Sequence, residues 1–445
     1  MKITTWKNLL WTAVTTFVLA ACSVDTDDAT SARGLEAQPA AVGFNAYLQR
    51  GNTRAGSGGS VTTASLKADG GFGVMAYYDQ GMAYGVLSLP TFMYNQQVTW
   101  DNVNNLWTYA PVKYWPYEAD GAQVTFFAYA PYVEVNSKTG IVTGDDTNGI
   151  TNLSSNTAGG DPFVKYRCSL VPDDCVDLCW ATPLIDQDRP SIEERLTLNF
   201  HHALASLNVQ IDANSDLAGS LASATRVYVR SITFEGFDLK GVLCLNGNNP
   251  AQPQWSALTS GDVGQEPITI HDGRRDGREG VQTSSNEKPV GLNPDIVQSS
   301  AYITAPAFES PTPGVTDTPV NLFCDATDAD KPIYVIPAGL PLRVTIVYDV
   351  ETYDAKLSSN LLSDNVTPGS SIENRISALV TDTNGDAIVL RAGTQYKVNL
   401  HLGLTSVKID CGMEPWEDGT QVVVTGGNRT VNWTNGGTTT EAVNL

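Results

Sequence analysis

TFMYNQQVTWDNVNNLWTYAPVKYWPYEADGAQVTFFAYAPY, residues 91–132, decides how this chain folds. Residues 97–100 and 106–109 read as the two arms of a hairpin, because the link between them, Asp-Asn-Val-Asn-Asn, is almost all turn formers. Residues 112–116 then lead to residues 124–130, an apolar run of strand length, expected to be buried on both faces. Six aromatics stand out here: Trp100, Trp107, Trp115, Phe126, Phe127 and Tyr129. Such density invites a carbohydrate-stacking platform. Alternation turns most of them inward, however, so the expectation is that they fill a sandwich core or cover its edge.

Toward the N-terminus, residues 41–60, AVGFNAYLQRGNTRAGSGGS, combine two patterns. Val42, Phe44, Ala46 and Leu48 alternate with Gly43, Asn45 and Tyr47, as in a half-buried strand. The rest is aperiodic, rich in Gly, Ser and Asn, and carries Arg50 and Arg54 in what reads as an exposed loop. A strand that packs into the core but is tied on through a cleavable loop is a removable part. The plain alternative is an ordinary first strand followed by a surface connection.

Residues 1–21 have the form of a processing signal. Lys2 and Lys7 give a basic start, and residues 9–18 form an apolar run too short to span a bilayer. The segment ends Leu19-Ala20-Ala21-Cys22, which resembles a bacterial lipobox. That resemblance makes Cys22 the acylated residue and residues 1–21 a lipoprotein signal peptide, with a flexible polar tether over residues 22–40. Lipid chains on Cys22 would hold the protein to a membrane through buried methylenes.

Acidic residues outnumber basic ones by 48 to 27 and no basic stripe occurs, which argues against nucleic acid as a partner. Gly, Thr, Asn, Ser, Val and Tyr dominate over helix formers, which favours an all-β chain. Six cysteines remain beyond Cys22: Cys168, Cys175, Cys179, Cys244, Cys324 and Cys411. Disulfides, including one local bridge among the first three, or buried thiols are expected in preference to zinc. No histidine lies near them in sequence, and their spacings do not match common ligand pairs. His201 and His202 are adjacent and so face opposite ways on a strand, which rules out joint action on one ligand. Acidic turns at residues 145–149, 325–330 and 382–386 lack the twelve-residue calcium pattern closed by Glu. No phosphate-binding loop, nucleophile elbow or carboxylate pair is present, so the reading is a non-enzyme with no cofactor and no metal.

Five motifs, taken in order, resemble one family. They are N-Q-x-V-T-W, W-x-Y-x-P-V-K-Y-W-P and V-x-F-F-A-Y-A-P-Y within residues 91–132, then FHHALASLNVQI at 200–211 and YKVNLHLGLTSVKI at 396–409. Together they resemble the fimbrillin family of Bacteroidales, the subunits of type V pili. The resemblance starts at the lipobox and reaches Trp416. It implies two tandem transthyretin-like β-sandwich domains, 41–190 including the removable first strand and 191–445 including a C-terminal tail. The break Asp188-Arg189-Pro190-Ser191 suits that boundary.

The resemblance also implies a course of assembly. A lipoprotein precursor is held at the outer membrane and an Arg-specific surface protease cuts after Arg54, or next best after Arg50. The first strand leaves, and a strand of another fimbrial subunit fills its place. The candidate donor is the tail, through Val422, Val424, Val431 and Trp433, although Gly426-Gly427-Asn428 would let the tail fold back as a hairpin. The implied location is the cell surface and then the fimbrium, where the subunit supports adhesion to host or bacterial surface ligands. The competing reading is a monomeric surface lipoprotein that binds glycan or a host ligand and never polymerises.

Overall fold

The computed structural model describes residues 40–48, 62–116, 122–144, 148–190, 194–213, 225–249, 252–256, 267–272, 320–323, 331–361, 368–382, 384–402, 406–415, 429–434 and 437–442. The first half of the chain runs β1 (Phe44–Leu48), α1 (Thr63–Ala68), β2 (Phe72–Tyr78), β3 (Met93–Asp101), β4 (Leu106–Thr108) and β5 (Gln123–Ala130). It continues with β6 (Gly149–Leu153), β7 (Phe163–Arg167), β8 (Cys179–Ala181), β9 (Leu184–Asp188) and β10 (Leu196–His202). The second half begins with β11 (Ala205–Ala213), β12 (Thr225–Glu235), β13 (Phe237–Asp238), β14 (Lys240–Cys244), β15 (Gln254–Ser256), β16 (Ile268–Asp272) and β17 (Val320–Asn321). It ends with β18 (Ile333–Pro337), β19 (Arg343–Tyr353), β20 (Gly369–Leu379), β21 (Thr394–Leu402), β22 (Ser406–Pro415), β23 (Arg429–Thr434) and β24 (Gly437–Ala442). The chain is all-β, as its composition suggests. Among the described residues, no helix is long and apolar enough to cross a membrane.

The first large sheet has the order β1-β10-β8-β5-β2-β3-β4, with β9 also on β5. Strand β2, FGVMAYY, shows why it sits near the middle. Phe72, Val74 and Ala76 enter one buried cluster while Met75 and Tyr77 enter another, so alternation here separates two cores rather than core from water. The Met75 side shares its cluster with the small sheet β15-β14-β7-β6, through Ile150, Val164, Tyr166 and Leu243. On the Phe72 side the sheet curls, with α1 contributing Leu66, until its end strands β1 and β4 approach each other. Gly71, just before β2, stands at φ +78°, where a Cβ would also collide with the Val98 carbonyl.

The hairpin read from residues 97–109 is β3–β4. Trp100 pairs across it with Trp107, their ring centroids 5.3 Å apart at an interplanar angle of 73°. The aromatic block is core and cover, as expected: Trp107 and Trp115 are 4% and 3% exposed, and Phe126, Phe127 and Tyr129 are fully buried. Trp100 packs against the same cluster and carries the Lys67 ammonium 3.6 Å from its ring centroid.

The stretch FHHALASLNVQI reads as one strand but forms two. Residues up to His202 lie in β10 of the first sheet, and β11 starts at Ala205 in a second large sheet. The buried pair Ala203 and Leu204 makes the crossing, fixed by the Ala203 N–H donating 2.8 Å to the Leu178 carbonyl. Residues 190 and 191, the boundary expected from sequence, fall between β9 and β10, which both belong to the first sheet. Farther on, β14 returns to pair with β7. The second large sheet runs β13-β18-β11-β21-β22-β23-β24, with β17 on β11, and the remaining small sheet runs β16-β12-β19-β20. Val209, Leu400 and Ile409 from one, and Phe234, Ile346 and Tyr348 from the other, share a buried cluster. Five of the cysteines, Cys168, Cys175, Cys179, Cys244 and Cys411, are free thiols, so the local bridge considered for residues 168–179 is not formed.

Candidate functional site

Strand β1 is the seam of the first sheet. Its inward residues Phe44, Ala46 and Leu48, and Val42 just before it, are all buried, whereas Tyr47 is 54% exposed, as the alternation at residues 41–48 predicts. One edge pairs in parallel with β10 in the register Phe44↔Leu196 through Leu48↔Phe200. A parallel pair cannot be closed by a tight turn, so this contact joins segments far apart in the chain, Phe44 to Leu196 at one end and Leu48 to Phe200 at the other.

The opposite edge is held differently. The Val42 N–H donates to the Lys113 carbonyl, and the Trp115 N–H to the Ala40 carbonyl, both at 2.9 Å. The Tyr109 hydroxyl donates to the Val42 carbonyl at 2.7 Å. Beyond this short stretch Arg195 takes over. Its Nη1 donates 3.3 Å to the Phe44 carbonyl and 3.0 Å to the Trp107 carbonyl, bridging β1 to β4 with a side chain rather than a ladder. The seam is thus zipped on one side and latched on the other.

Underneath, Phe44 meets Tyr109 and Phe126 at centroid distances of 5.7 and 5.8 Å. Burial pushes the Tyr109 phenol above its ordinary range, while the Lys113 backbone bond opposes the shift. Each large inward side chain of β1 contributes about 1.5–3 kcal/mol of burial. Each backbone bond adds about 0.5–1.5 kcal/mol. Strand β1 is well seated, and any strand offering similar side chains and a free backbone edge recovers the same terms.

The residues read from the sequence are distributed as follows. Val42, Phe44, Ala46 and Leu48 come together in the seam. Cys22, Arg50, Arg54, Val422 and Val424 lie outside the described residues. Val431 and Trp433 lie in β23, which pairs with β22 (Val407↔Val431) and with β24 (Trp433↔Thr438), so the described tail is a hairpin added to the edge of the second sheet. Arg195 and Tyr109 were not marked by any local pattern. Their roles exist only once β1, β4 and the segment after β4 converge.

The two adjacent histidines face different surroundings. His201 Nε2 lies 3.0 Å from the Thr182 hydroxyl, and burial, then His202, lowers its pKa. His202 Nδ1 lies 2.8 Å from Asp177 Oδ2. Burial pushes the nearby Cys179 thiol well up, with the Asp177 charge adding to the shift, the opposite of what an activated nucleophile needs. The turn at Asp382 is closed by its own carboxylate, which accepts from the N–H groups of Asn384 and Asp386 at 2.9 Å.

Residues 53–416 match the family described as fimbrillin-like. Over 391 residues the chain is 25% identical to the fimbrium subunit Fim1C of Phocaeicola vulgatus, covering 85% of this chain and 89% of that protein. A candidate cell adhesion protein of Bacteroides uniformis aligns in structure over 84% of this chain and 98% of its own, at 13% identity and a TM-score of 0.37. The tip fimbrial protein Mfa3 of Porphyromonas gingivalis, solved with a C-terminal truncation, aligns over 77% and 94%, at 8% identity and a TM-score of 0.25.

Proposed function

The chain belongs to the fimbrillin-like family, and from that premise we propose that it is a subunit of surface fimbriae that joins its neighbours by exchanging β1 for a strand of another subunit. The family is structural rather than enzymatic, and its members locate to fimbriae at the cell surface. In this reading the precursor is exported as a lipoprotein on Cys22 and held at the outer membrane. An Arg-specific protease cuts after Arg54, or after Arg50, and β1 leaves.

The observation that carries the reading is the unequal hold on β1: a five-residue parallel ladder to β10 on one side, a short contact and the Arg195 latch on the other. Its departure exposes an apolar slot floored by Phe126 and flanked by unpaired backbone of β10, an edge that a foreign strand satisfies. The hairpin β23–β24 is the candidate donor, parked on its own sheet until a neighbouring subunit offers a groove. Assembled fibres support cell adhesion.

The test is a lock. Asn45 and Thr197 are parallel register partners away from the core, at a strand spacing of about 4.8 Å that a disulfide accommodates. The double variant Asn45→Cys, Thr197→Cys is expected to be cut at the loop, with a new N-terminus at Ala55 or Gly51 by mass spectrometry. It should then retain β1 and form no detergent-resistant ladders until reduced. Fibre growth by the oxidised variant at the parent's rate overturns the proposal.

A further inference from the structure

Cys179 in β8 and His202 in β10 are register partners, and Asp177, two residues before Cys179, shares its side of the chain. The donor atoms gather closely: Cys179 Sγ lies 3.6 Å from His202 Nδ1 and 3.9 Å from Asp177 Oδ2, and the last two are 2.8 Å apart. Among the described residues this is the one group of three such side chains whose ligand atoms all lie within 4.8 Å of one another. All three residues are buried.

We propose that Asp177, Cys179 and His202 bind a single zinc(II) ion. The triangle suits one face of a tetrahedron. With Zn–S near 2.3 Å and Zn–N and Zn–O near 2.0–2.2 Å, tetrahedral ligands stand about 3.3–3.6 Å apart. The three separations straddle that range, so an ion at the centre asks for movements of about half an ångström. A thiolate, an imidazole and a carboxylate form a borderline-soft set that suits zinc better than calcium or magnesium, which prefer oxygen alone.

The charges balance as well. A dication with one thiolate and one carboxylate is neutral, which a site whose three ligand residues are all buried requires. On binding, the thiol proton leaves to solvent, Nδ1 of His202 gives up the proton it directs at Asp177 and the ring keeps its proton on Nε2, so that Nδ1 ligates, and the fourth position takes water. The ion would staple β8 to β10, which share only three register pairs. Because β10 is also the wall that β1 pairs with, the staple would hold that wall in place when β1 is absent.

The experiment uses the purified full chain, stripped with chelator and titrated with zinc(II) or cobalt(II), both in the native state and during refolding from urea. One zinc per chain is expected. X-ray absorption at the zinc edge should count one sulfur neighbour, and cobalt should show sulfur-to-metal charge transfer with tetrahedral visible bands. Cys179→Ser and His202→Gln should weaken binding by more than about a hundredfold, since even outer-shell partners are worth 10- to 100-fold. Cys175→Ser, whose thiol is outside the cluster, should bind as the parent does. Zinc should raise the urea midpoint of the parent and leave that of the ligand variants unmoved. The proposal is overturned by stoichiometric binding that survives both ligand substitutions, or by no binding to the parent, in which case the three are a hydrogen-bonded structural group only. Should a ligand variant fail to fold, the sulfur count on the parent decides alone.

Discussion

The Tyr109 hydroxyl donates a 2.7 Å hydrogen bond to the carbonyl of Val42, tying the start of the seam strand to a residue 67 positions away. The substitution Tyr109→Phe keeps the ring against Phe44 and removes the hydroxyl, which also accepts 3.3 Å from the Lys113 N–H. It leaves a buried carbonyl unsatisfied, at a cost of about 1–3 kcal/mol. The expected result is a lower urea midpoint and faster amide exchange confined first to residues 44–48. Unchanged exchange there would show that the ladder to β10 alone retains the strand.

Phe44 is the largest inward side chain of β1 and lies against two other rings. Phe44→Ala should destabilise the chain by about 3–5 kcal/mol, through lost transfer energy and the cavity left behind. Chemical denaturation measures this directly. Tyr47→Ala, on the exposed face of the same strand, should stay within about 0.5 kcal/mol.

In the second half, Arg230 pairs through Nε with Asp349 and through Nη1 with Glu373, both at 2.8 Å. Asp349 is fully buried, and that burial raises its carboxyl pKa against the pull of Arg230. Replacing the cation by Arg230→Met strands a buried carboxylate, and about 3–5 kcal/mol of stability should be lost. The double change Arg230→Met, Asp349→Leu should recover much of it, which separates a charge effect from a packing effect.

The fold should weaken in alkali. Burial raises the phenols of Tyr77, Tyr129, Tyr166 and Tyr334, and raises that of Tyr94 to about 12. The Cys175 thiol is likewise raised to about 11. A folded pKa above the unfolded value means that the unfolded chain gives up its proton first. The contribution is therefore complete below the unfolded values, about 8.5 for Cys and about 10 for Tyr, and is lost as pH climbs toward 11–12. Unfolding free energy should be level across neutral pH and fall steeply above about pH 10, with phenolate absorbance appearing together with unfolding.

Strand β23 adds to the edge of β22 and carries β24 beyond it. A chain ended at Pro415 keeps β22 paired with β21, so it should fold with the parent's circular dichroism and size-exclusion behaviour. On the assembly reading it should accept a neighbour's strand but donate none, capping fibres instead of extending them. Undiminished fibre length from this truncation would remove the tail as donor.

Much of this was legible in local pattern. The β2 strand runs Phe72–Tyr78, as its alternation after Gly70-Gly71 suggests, and the hairpin and buried strand of residues 91–132 are where turn chemistry places them. Period-two patterning says which face of β1 is apolar, and that face is buried. Two things were not legible. The run from Phe200 to Ile211 shows no break, since Ala203 and Leu204 are as apolar as their neighbours, yet the chain changes sheets there. The Asp177–Cys179–His202 group is likewise hidden. Spacing argues against a histidine near those cysteines, and only strand register supplies one.

The amino-acid order by itself determined the all-β class, the alternating strands, the inward aromatics and the family, because side-chain period and turn chemistry act over a few residues at a time. Tertiary structure decided which strands are neighbours: that β1 pairs in parallel with β10, that Arg195 latches it to β4, and that His202 meets Cys179. Those contacts join segments 20 to 150 residues apart, and no local preference encodes them. They arise from closing long loops around shared apolar surface, which only the folded chain can do.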